Sequence, residues 1–115
     1  MRLKSGIWVS AYLRRCAVEN VAAIVVRRGH AEAGAIFIAV DRLDGTLNLY
    51  GPAPAGLAEI DSERLWVPCF DGQPAGEEKV NTYLARQAEF DPDLWVVAVE
   101  DKRGRHFLGE ALTAA

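Results

Sequence analysis

Two polar segments carry the residues of this sequence that could do chemistry. The first, "VVRRGHAEAG", places Arg27, Arg28 and His30 between two apolar runs, and the second, "KRGRHFLG", places Arg105 beside His106. Arginine binds anions through several N–H donors, and histidine exchanges protons near neutral pH. If the two segments meet in space, these side chains could form an anion-binding or small-molecule-binding site.

A phosphate-binding loop is the sharper hypothesis for the first segment, and the pattern argues against it. Such a loop needs glycines that expose several backbone N–H groups, followed by a helix whose N-terminus faces the anion. Here Gly29 and Gly34 bracket the connection "HAEA", and a β-rich run follows. Glycines at both ends of a short connection are typical of a hairpin loop. We therefore predict a turn with an exposed His30, and we predict that the five polar side chains do not converge in a closed pocket.

The sequence predicts no catalytic residue, no metal site and no cofactor. Cys16 and Cys69 lie far apart and are typical of buried free thiols, and the two histidines share no zinc-ligand spacing. Asp91 and Asp93 flank Pro92, a pattern typical of a turn. No serine lies in a G-x-S-x-G motif, which is the commonest hydrolase signature. These observations favour a protein that is not an enzyme.

Composition and charge narrow the class of protein. A length of 115 residues predicts one domain over residues 1–115, and 50% hydrophobic with 25% charged residues is typical of a globular protein. We find no membrane-spanning run and no signal-peptide pattern, and so expect a cytoplasmic protein. Residues 1–45 hold seven Lys/Arg and four Asp/Glu, whereas residues 46–115 hold six and twelve. The isolated arginine pairs argue against nucleic-acid binding, and the asymmetry favours contact between copies of the chain.

The spacing of apolar residues predicts the elements of the first half. Residues 3–8 are predicted to be a short strand or extended lead-in, and a helix to follow from an N-cap at Ser10 to about Asn20, although apolar alternation keeps a strand as the alternative. Three β-rich runs come next: "AAIVVRRG", "AGAIFIAV" and "GTLNLYG". The "HAEA" connection predicts a hairpin between the first two. Asp44-Gly45 predicts a hairpin between the last two, because glycine accepts the positive φ of such turns.

The second half is predicted in the same way. Residues 52–63 contain two prolines and a glycine and are predicted to be a loop. "RLWVPCF" is predicted to be a short strand, in which Pro68 indicates either an edge strand or an early end. "DGQPAGEEKVNTYLARQAEF" predicts a helix with an apolar stripe of Val80, Tyr83, Leu84 and Ala88. "DLWVVAVE" predicts a strand apolar on both faces, and "KRGR" a second hairpin into a strand "HFLGE". Residues 112–115 are predicted to fray.

These elements predict an α+β fold with a single, mostly antiparallel sheet of about five or six strands and two helices, because the connections look too short for parallel crossovers. Strands that are apolar on both sides need a cover on both faces of the sheet. If both helices pack on one face, the other face presents an apolar patch, and we predict a two-fold homodimer that buries it. The alternative is a monomer with one helix per face, or with residues 51–63 acting as a lid.

Two longer stretches, "VVRRGHAEAGAIFIAVDRLDG" and "FDPDLWVVAVEDKRGRHFL", resemble a small family of uncharacterised alphaproteobacterial proteins, a domain of unknown function about as long as this chain. The resemblance covers most of residues 5–108. It rests on Arg27-Arg28-Gly29, Gly34, the Asp44-Gly45 turn, the Asp91-Pro92-Asp93-Leu94-Trp95 junction and Gly104-Arg105-His106-Phe107. It implies a cytosolic bacterial domain and transfers no site, cofactor or partner.

The function that we predict is a non-enzymatic, cytosolic interaction or structural module that self-associates. The alternative is a small-molecule-binding or anion-binding protein, or an enzyme, whose site uses the arginines and histidines at two hairpin turns: Arg27, Arg28, His30, Arg105 and His106.

Overall fold

A computed structural model describes residues 3–54 and 64–112. Within these ranges the chain has two α-helices, six strands and two short 3₁₀ turns at Phe70–Gly72 and Gly109–Ala111. The helices are α1 (Ser5–Val18) and α2 (Glu77–Phe90). The strands are β1 (Ala23–Arg27), β2 (Ile36–Asp41), β3 (Thr46–Pro52), β4 (Trp66–Pro68), β5 (Ala75–Gly76) and β6 (Trp95–Glu100). The predicted loop at residues 52–63 lies largely outside the described residues, as do residues 113–115.

The strands form one sheet in the order β1-β6-β2-β3-β4, with β5 paired to β3. Every pair is antiparallel except the central one, β2 with β6, which is parallel. The predicted α+β fold with a mostly antiparallel sheet is therefore confirmed. The expectation that no crossover is long enough for a parallel pair is wrong, because the chain passes through three strands and α2 before it returns as β6 beside β2.

One predicted hairpin is confirmed and two are wrong. β2 and β3 pair across the Asp44-Gly45 turn, where Gly45 has a φ of 91°. β1 and β2 do not pair, because β6 lies between them. The strand predicted after "KRGR" is absent from the described residues, since β1 and β2 already occupy both edges of β6. His106 therefore lies in an irregular segment rather than at the start of a strand.

The N-terminal helix begins earlier than its sequence pattern predicts. α1 starts at Ser5, so the extended lead-in at residues 3–8 and the N-cap at Ser10 are both wrong. The buried residues of α1 follow helical spacing from its first position: Ser5, Val9, Tyr12 and Cys16. The serine Oγ donates a hydrogen bond to the backbone oxygen of Gly34 (2.6 Å), which fixes the start of the helix against the β1–β2 connection.

The two helices cover opposite faces of the sheet. α1 packs on a cluster that includes Ile36, Ile38, Val40, Val97 and Val99, whereas Val80 of α2 packs on a cluster that includes Phe37, Ala39, Leu49 and Val96. This is the one-helix-per-face alternative, so the premise that both helices share a face is wrong. All four residues of the predicted α2 stripe pack in this second cluster: Val80, Tyr83, Leu84 and Ala88.

The remaining expectations concern the sheet edges and the chain as a whole. β4 is an edge strand, as Pro68 predicts, and pairs with β3. Over residues 3–54 and 64–112, neither helix is both long and apolar enough to cross a bilayer.

Candidate interaction site

The "RRGH" stretch that opens the β1–β2 connection packs against the junction before β6. Arg27 Nη2 donates a hydrogen bond to the carbonyl of Pro92 (3.0 Å), and the Arg28 guanidinium lies 5.4 Å from the centroid of the Trp95 ring. The backbone N–H of His30 donates to the carbonyl of Asp93 (2.9 Å). In return, Nε1 of Trp95 donates to the His30 carbonyl (2.9 Å). This segment therefore fastens one end of β6 to β1 and α1.

The two glycines of the same connection are explained by close packing rather than by a bound anion. A Cβ atom at either Gly29 or Gly34 would overlap the backbone oxygen of Asp93 and press on the ring of Trp95. Glycine is the residue that permits such an approach of two backbone segments. The two glycines are thus spaced to let the β1–β2 connection pack against Trp95, and not to bind a phosphate.

Arg105 and His106 follow the other end of β6. Arg105 binds both carboxylate oxygens of Asp101, at 3.0 Å from Nε and 2.7 Å from Nη2, and these hydrogen bonds hold the pKa of Asp101 below its usual value. The ring of His106 lies edge-on to Tyr50 at 5.3 Å, and its Nδ1 accepts a hydrogen bond from the N–H of Leu108 (2.9 Å). Burial lowers the pKa of His106. Both side chains thus anchor the segment that follows the sheet.

The structure does not bring the five predicted binding residues together. Arg27, Arg28 and His30 surround the start of β6, whereas Arg105 and His106 follow its end. A strand of six residues separates the two groups by about 17 Å at the usual rise of ~3.3 Å per residue. Among the described residues, the contacts of the two groups share no partner.

The two cysteines are both free thiols. Cys16 lies on the inner side of α1 and is fully buried, and Cys69 is half-buried beside Tyr83. Burial raises the pKa of each thiol, which favours its protonated form. No three His, Cys, Asp or Glu side chains within the described ranges are grouped as a metal site would require.

An apolar groove lies between α2 and the β1 edge of the sheet. α2 covers β2, β3 and Val96 of β6, and it leaves Ala98 of β6 half-buried and β1 open on the same face. The groove has a volume of about 590 Å³. Its floor is formed by Ile24, Val26, Ala98 and Val96, and its wall by Leu84, Ala85 and Ala88 of α2. We call this feature the β1–α2 groove.

The floor of the β1–α2 groove is unusually exposed for a sheet. Ile24 is 64% exposed and Val26 is 62% exposed, although both lie in a strand. Their neighbours in β1, Ala23 and Val25, point to the other face, where they pack on the α1 cluster. β1 is therefore covered on one face and exposes apolar side chains on the other, and an exposed apolar patch of this kind is a feature of protein interaction surfaces.

Opposite charges lie at the two ends of the β1–α2 groove. Asp41, Glu77 and Glu100 line the end where β2 and β6 finish and α2 begins. Arg27 lines the other end, because it follows a bulge in β1 and pairs with Val96 near the start of β6. The surface is therefore apolar in the middle, acidic at one end and basic at the other.

Sequence reasoning recognised that the strands are apolar on both faces but did not locate the groove. The exposed pair, Ile24 and Val26, has the same residue types as the buried strands. The signal that could identify it is the strand order, since the groove forms where β1 and part of β6 lie beyond the width of α2. That order depends on the parallel β2–β6 pair.

Fold and surface together define a small α+β protein whose sheet carries one helix on each face and an open apolar groove beside one edge strand. The chain belongs to the family described as "Protein of unknown function (DUF1491)", whose model matches residues 3–109. This membership confirms the resemblance to an uncharacterised family of alphaproteobacterial proteins.

Solved structures of this family have the same fold. A crystal structure of a DUF1491 family protein from Caulobacter crescentus is 38% identical, with a TM-score of 0.79 over 99% of this chain and 100% of that chain. An NMR structure of a family member from the same species is 41% identical, with a TM-score of 0.79 over 99% of both chains. A solution structure from A. tumefaciens is 38% identical, with a TM-score of 0.78 over 100% of this chain and 96% of that chain. None of the curated proteins matches the chain.

Proposed function

We propose that this chain is a non-enzymatic interaction module of the cytoplasm that forms a homodimer through β1 and the β1–α2 groove. The observation that carries the proposal is the pair of open apolar side chains, Ile24 and Val26, on the floor of that groove. Soluble proteins seldom leave such a patch uncovered, and covering a side chain of this size contributes up to about 2 kcal/mol.

The charges around the groove favour a second copy of this chain as the partner. A two-fold axis through the edge strand would reverse the direction of β1 in the partner. The basic end of each groove, at Arg27, would then lie beside the acidic end of the other, at Glu77 and Glu100. Such self-complementarity is the requirement of an isologous interface.

The alternative function, an anion or small-molecule site at the two polar turns, receives less support. Arg27, Arg28 and Arg105 each have an intramolecular partner, namely the Pro92 carbonyl, the Trp95 ring and the Asp101 carboxylate. A ligand would have to displace these contacts. We therefore propose that the molecule functions through the β1–α2 groove rather than through a ligand site at the two polar turns.

A cytoplasmic location is supported by the cysteines. Both are free, and they pack in different clusters, Cys16 with the α1 face and Cys69 with the α2 face. Unpaired cysteines are typical of proteins in a reducing compartment.

Light scattering coupled to size-exclusion chromatography tests the homodimer. We expect a mass twice the 12.6 kDa of the chain at high micromolar concentration. Ile24→Lys should shift the mass to that of the single chain, because it places a charge on the groove floor. Ile7→Lys is the matched control, since Ile7 is similarly exposed (54%) but lies on α1.

Two results would overturn the homodimer. The first is a wild-type mass of 12.6 kDa at every concentration. The second is a dimer that Ile24→Lys leaves intact, which would place the contact elsewhere on the molecule.

A further inference from the structure

The backbone of β1 offers hydrogen-bonding groups on its open side. The N–H of Glu100 donates to the carbonyl of Ala22 (2.9 Å), and the register of β1 with β6 makes these two residues opposite each other. In an antiparallel ladder, residues alternate between those whose N–H and C=O face the neighbouring strand and those whose groups face away. Ala22 and Ile24 therefore point their backbone groups at β6. Ala23 and Val25 point theirs at the open edge.

The open stretch is short because β1 contains a bulge. The register shifts between Val25 and Arg27, so Val26 is the extra residue and Arg27 pairs with Val96. A bulge ends regular pairing on an edge strand and limits its further association. Before β1, the N–H of Val21 is taken by the carbonyl of Cys16. A partner strand is thus confined to the few residues between Val21 and the bulge.

We infer that two copies pair their β1 strands antiparallel, with the two-fold axis passing between their Ile24 residues; this inference rests on the proposed homodimer and specifies its register. In this register, Ala23 of each copy lies opposite Val25 of the other. All the outward N–H and C=O groups of both residues are then paired, which gives four hydrogen bonds across the interface. An axis through Val25 would give two, because Ala23 would face the partner's Arg27, whose backbone is turned to β6 by the bulge.

The side chains fit the same register. The two Ile24 residues form a pair without direct backbone hydrogen bonds, in which the Cα atoms lie about 4.5 Å apart and the side chains make close contact. Both side chains point to the α2 face, since each lies in its own β1–α2 groove. The partner's Val26 lies opposite Ala22, which is small enough to leave room for it. The two grooves become one continuous apolar trough between the two α2 helices.

The charges at the ends of the groove agree with this pairing. The partner's Arg27 comes to lie opposite Val21, one residue beyond Ala22, and Glu100 is the residue that pairs with Ala22 on β6. Two strand spacings separate their backbones, about 10 Å, which extended arginine and glutamate side chains span. Each half of the dimer therefore supplies a cation to the acidic end of the other, with Arg27 exchanging its hydrogen bond to the Pro92 carbonyl for the partner's carboxylate.

Disulfide trapping tests the register. In Ile24→Cys, the paired Cα atoms fall at the separation that a disulfide requires, about 4.4–6.8 Å. Val26→Cys is the matched control, because Val26 is as exposed as Ile24 and lies on the same face, two residues along β1. In the inferred register, the two Val26 residues are four positions apart along the strands, about 14 Å, which is too far for a disulfide.

We expect mild oxidation to convert Ile24→Cys to a reducible covalent dimer on a denaturing gel, at least tenfold faster than Val26→Cys, with the wild-type chain and its two native cysteines giving the background. Equal rates for the two variants would overturn the register. So would a covalent dimer that forms only when the two variants are mixed, since this outcome places the axis at Val25. A dimeric wild type with unreactive Ile24→Cys refutes the register alone, whereas a monomeric wild type refutes the proposed homodimer.

Discussion

The two faces of the sheet carry helices of equal length, fourteen residues each, yet one face is closed and the other is half open. On the α1 face, Val97 and Val99 are completely buried. On the α2 face, Ala98 between them is only half-buried, and its neighbour Ile24 is 64% exposed. Helix length therefore does not decide how well a face is covered.

The difference comes from an additional segment that, among the described residues, packs on the α1 face and has no counterpart on the α2 face. The segment after β6 returns across this face, where Phe107, Leu108, Ala111 and Leu112 pack on the cluster under α1. Tyr12 of α1 donates a hydrogen bond to the carbonyl of His106 (2.7 Å), which ties the helix to this segment. The α2 face has α2 displaced toward β3 and β5, and β1 and β6 are left as the floor of the groove. The segment after β6 therefore covers the α1 face, and no described segment covers the open part of the α2 face in the same way.

The largest expected effect is a difference in stability between two isoleucine substitutions, one on the closed α1 face and one on the open α2 face. Ile38→Ala should lower the free energy of unfolding by about 2 to 5 kcal/mol, because Ile38 is fully buried under α1 and its removal leaves a cavity. Ile24→Ala should change it by less than about 0.5 kcal/mol in the monomer, since its side chain is open. Urea unfolding at low protein concentration measures both. Similar losses for the two variants would show that the groove floor is covered within one chain.

The second largest effect on stability is expected at Gly34, in the β1–β2 connection that packs against Trp95 on the α1 face. Gly34→Ala should destabilise the fold by about 1 to 3 kcal/mol, because the added methyl group overlaps the Asp93 carbonyl and crowds the Trp95 ring. Thermal unfolding followed by tryptophan fluorescence reports it. Gly76→Ala is the control, since a methyl group there meets no atom within 4 Å and the backbone φ of −69° suits alanine. A wild-type melting temperature for Gly34→Ala would contradict this role of the glycine.

The elements that local pattern defines were predictable from the sequence. The helical stripe of α2 and the Asp44-Gly45 turn each depend on residues close in the chain, and the structure has both where the pattern places them. The start of α1 was missed because Ile7 and Val9 alternate like strand residues. In the structure α1 already includes both residues, and its start is held by the tertiary contact of the buried Ser5 with Gly34, which no local pattern reveals.

The strand order was not predictable from local pattern, and the site depends on it. The runs that became β1 and β2 are joined by a short connection, which favours a hairpin, but β6 inserts between them from far along the chain. This insertion places Arg27 and His30 against the start of β6 and Arg105 past its end, so the two polar turns are separated. It also makes β1 an edge strand, which exposes Ile24. Contacts of long sequence separation decide both results.

The smallest expected effect is a dependence of the free energy of unfolding on pH, which arises from His106 on the closed α1 face. Burial lowers the pKa of His106, whose usual value is 6.5. Between the lowered pKa and 6.5, the unfolded chain binds a proton that the folded chain does not, so a fall in pH through this window favours unfolding. His106→Asn removes the titration and retains, in Oδ1, an acceptor for the Leu108 N–H. Urea unfolding between pH 7.5 and pH 5 should show a smaller loss of stability for this variant than for the wild type. Equal losses of stability in the two proteins would contradict a buried, neutral His106. They would mean that the segment after β6 packs on the α1 face less closely than its hydrogen bonds at Leu108 and Tyr12 indicate.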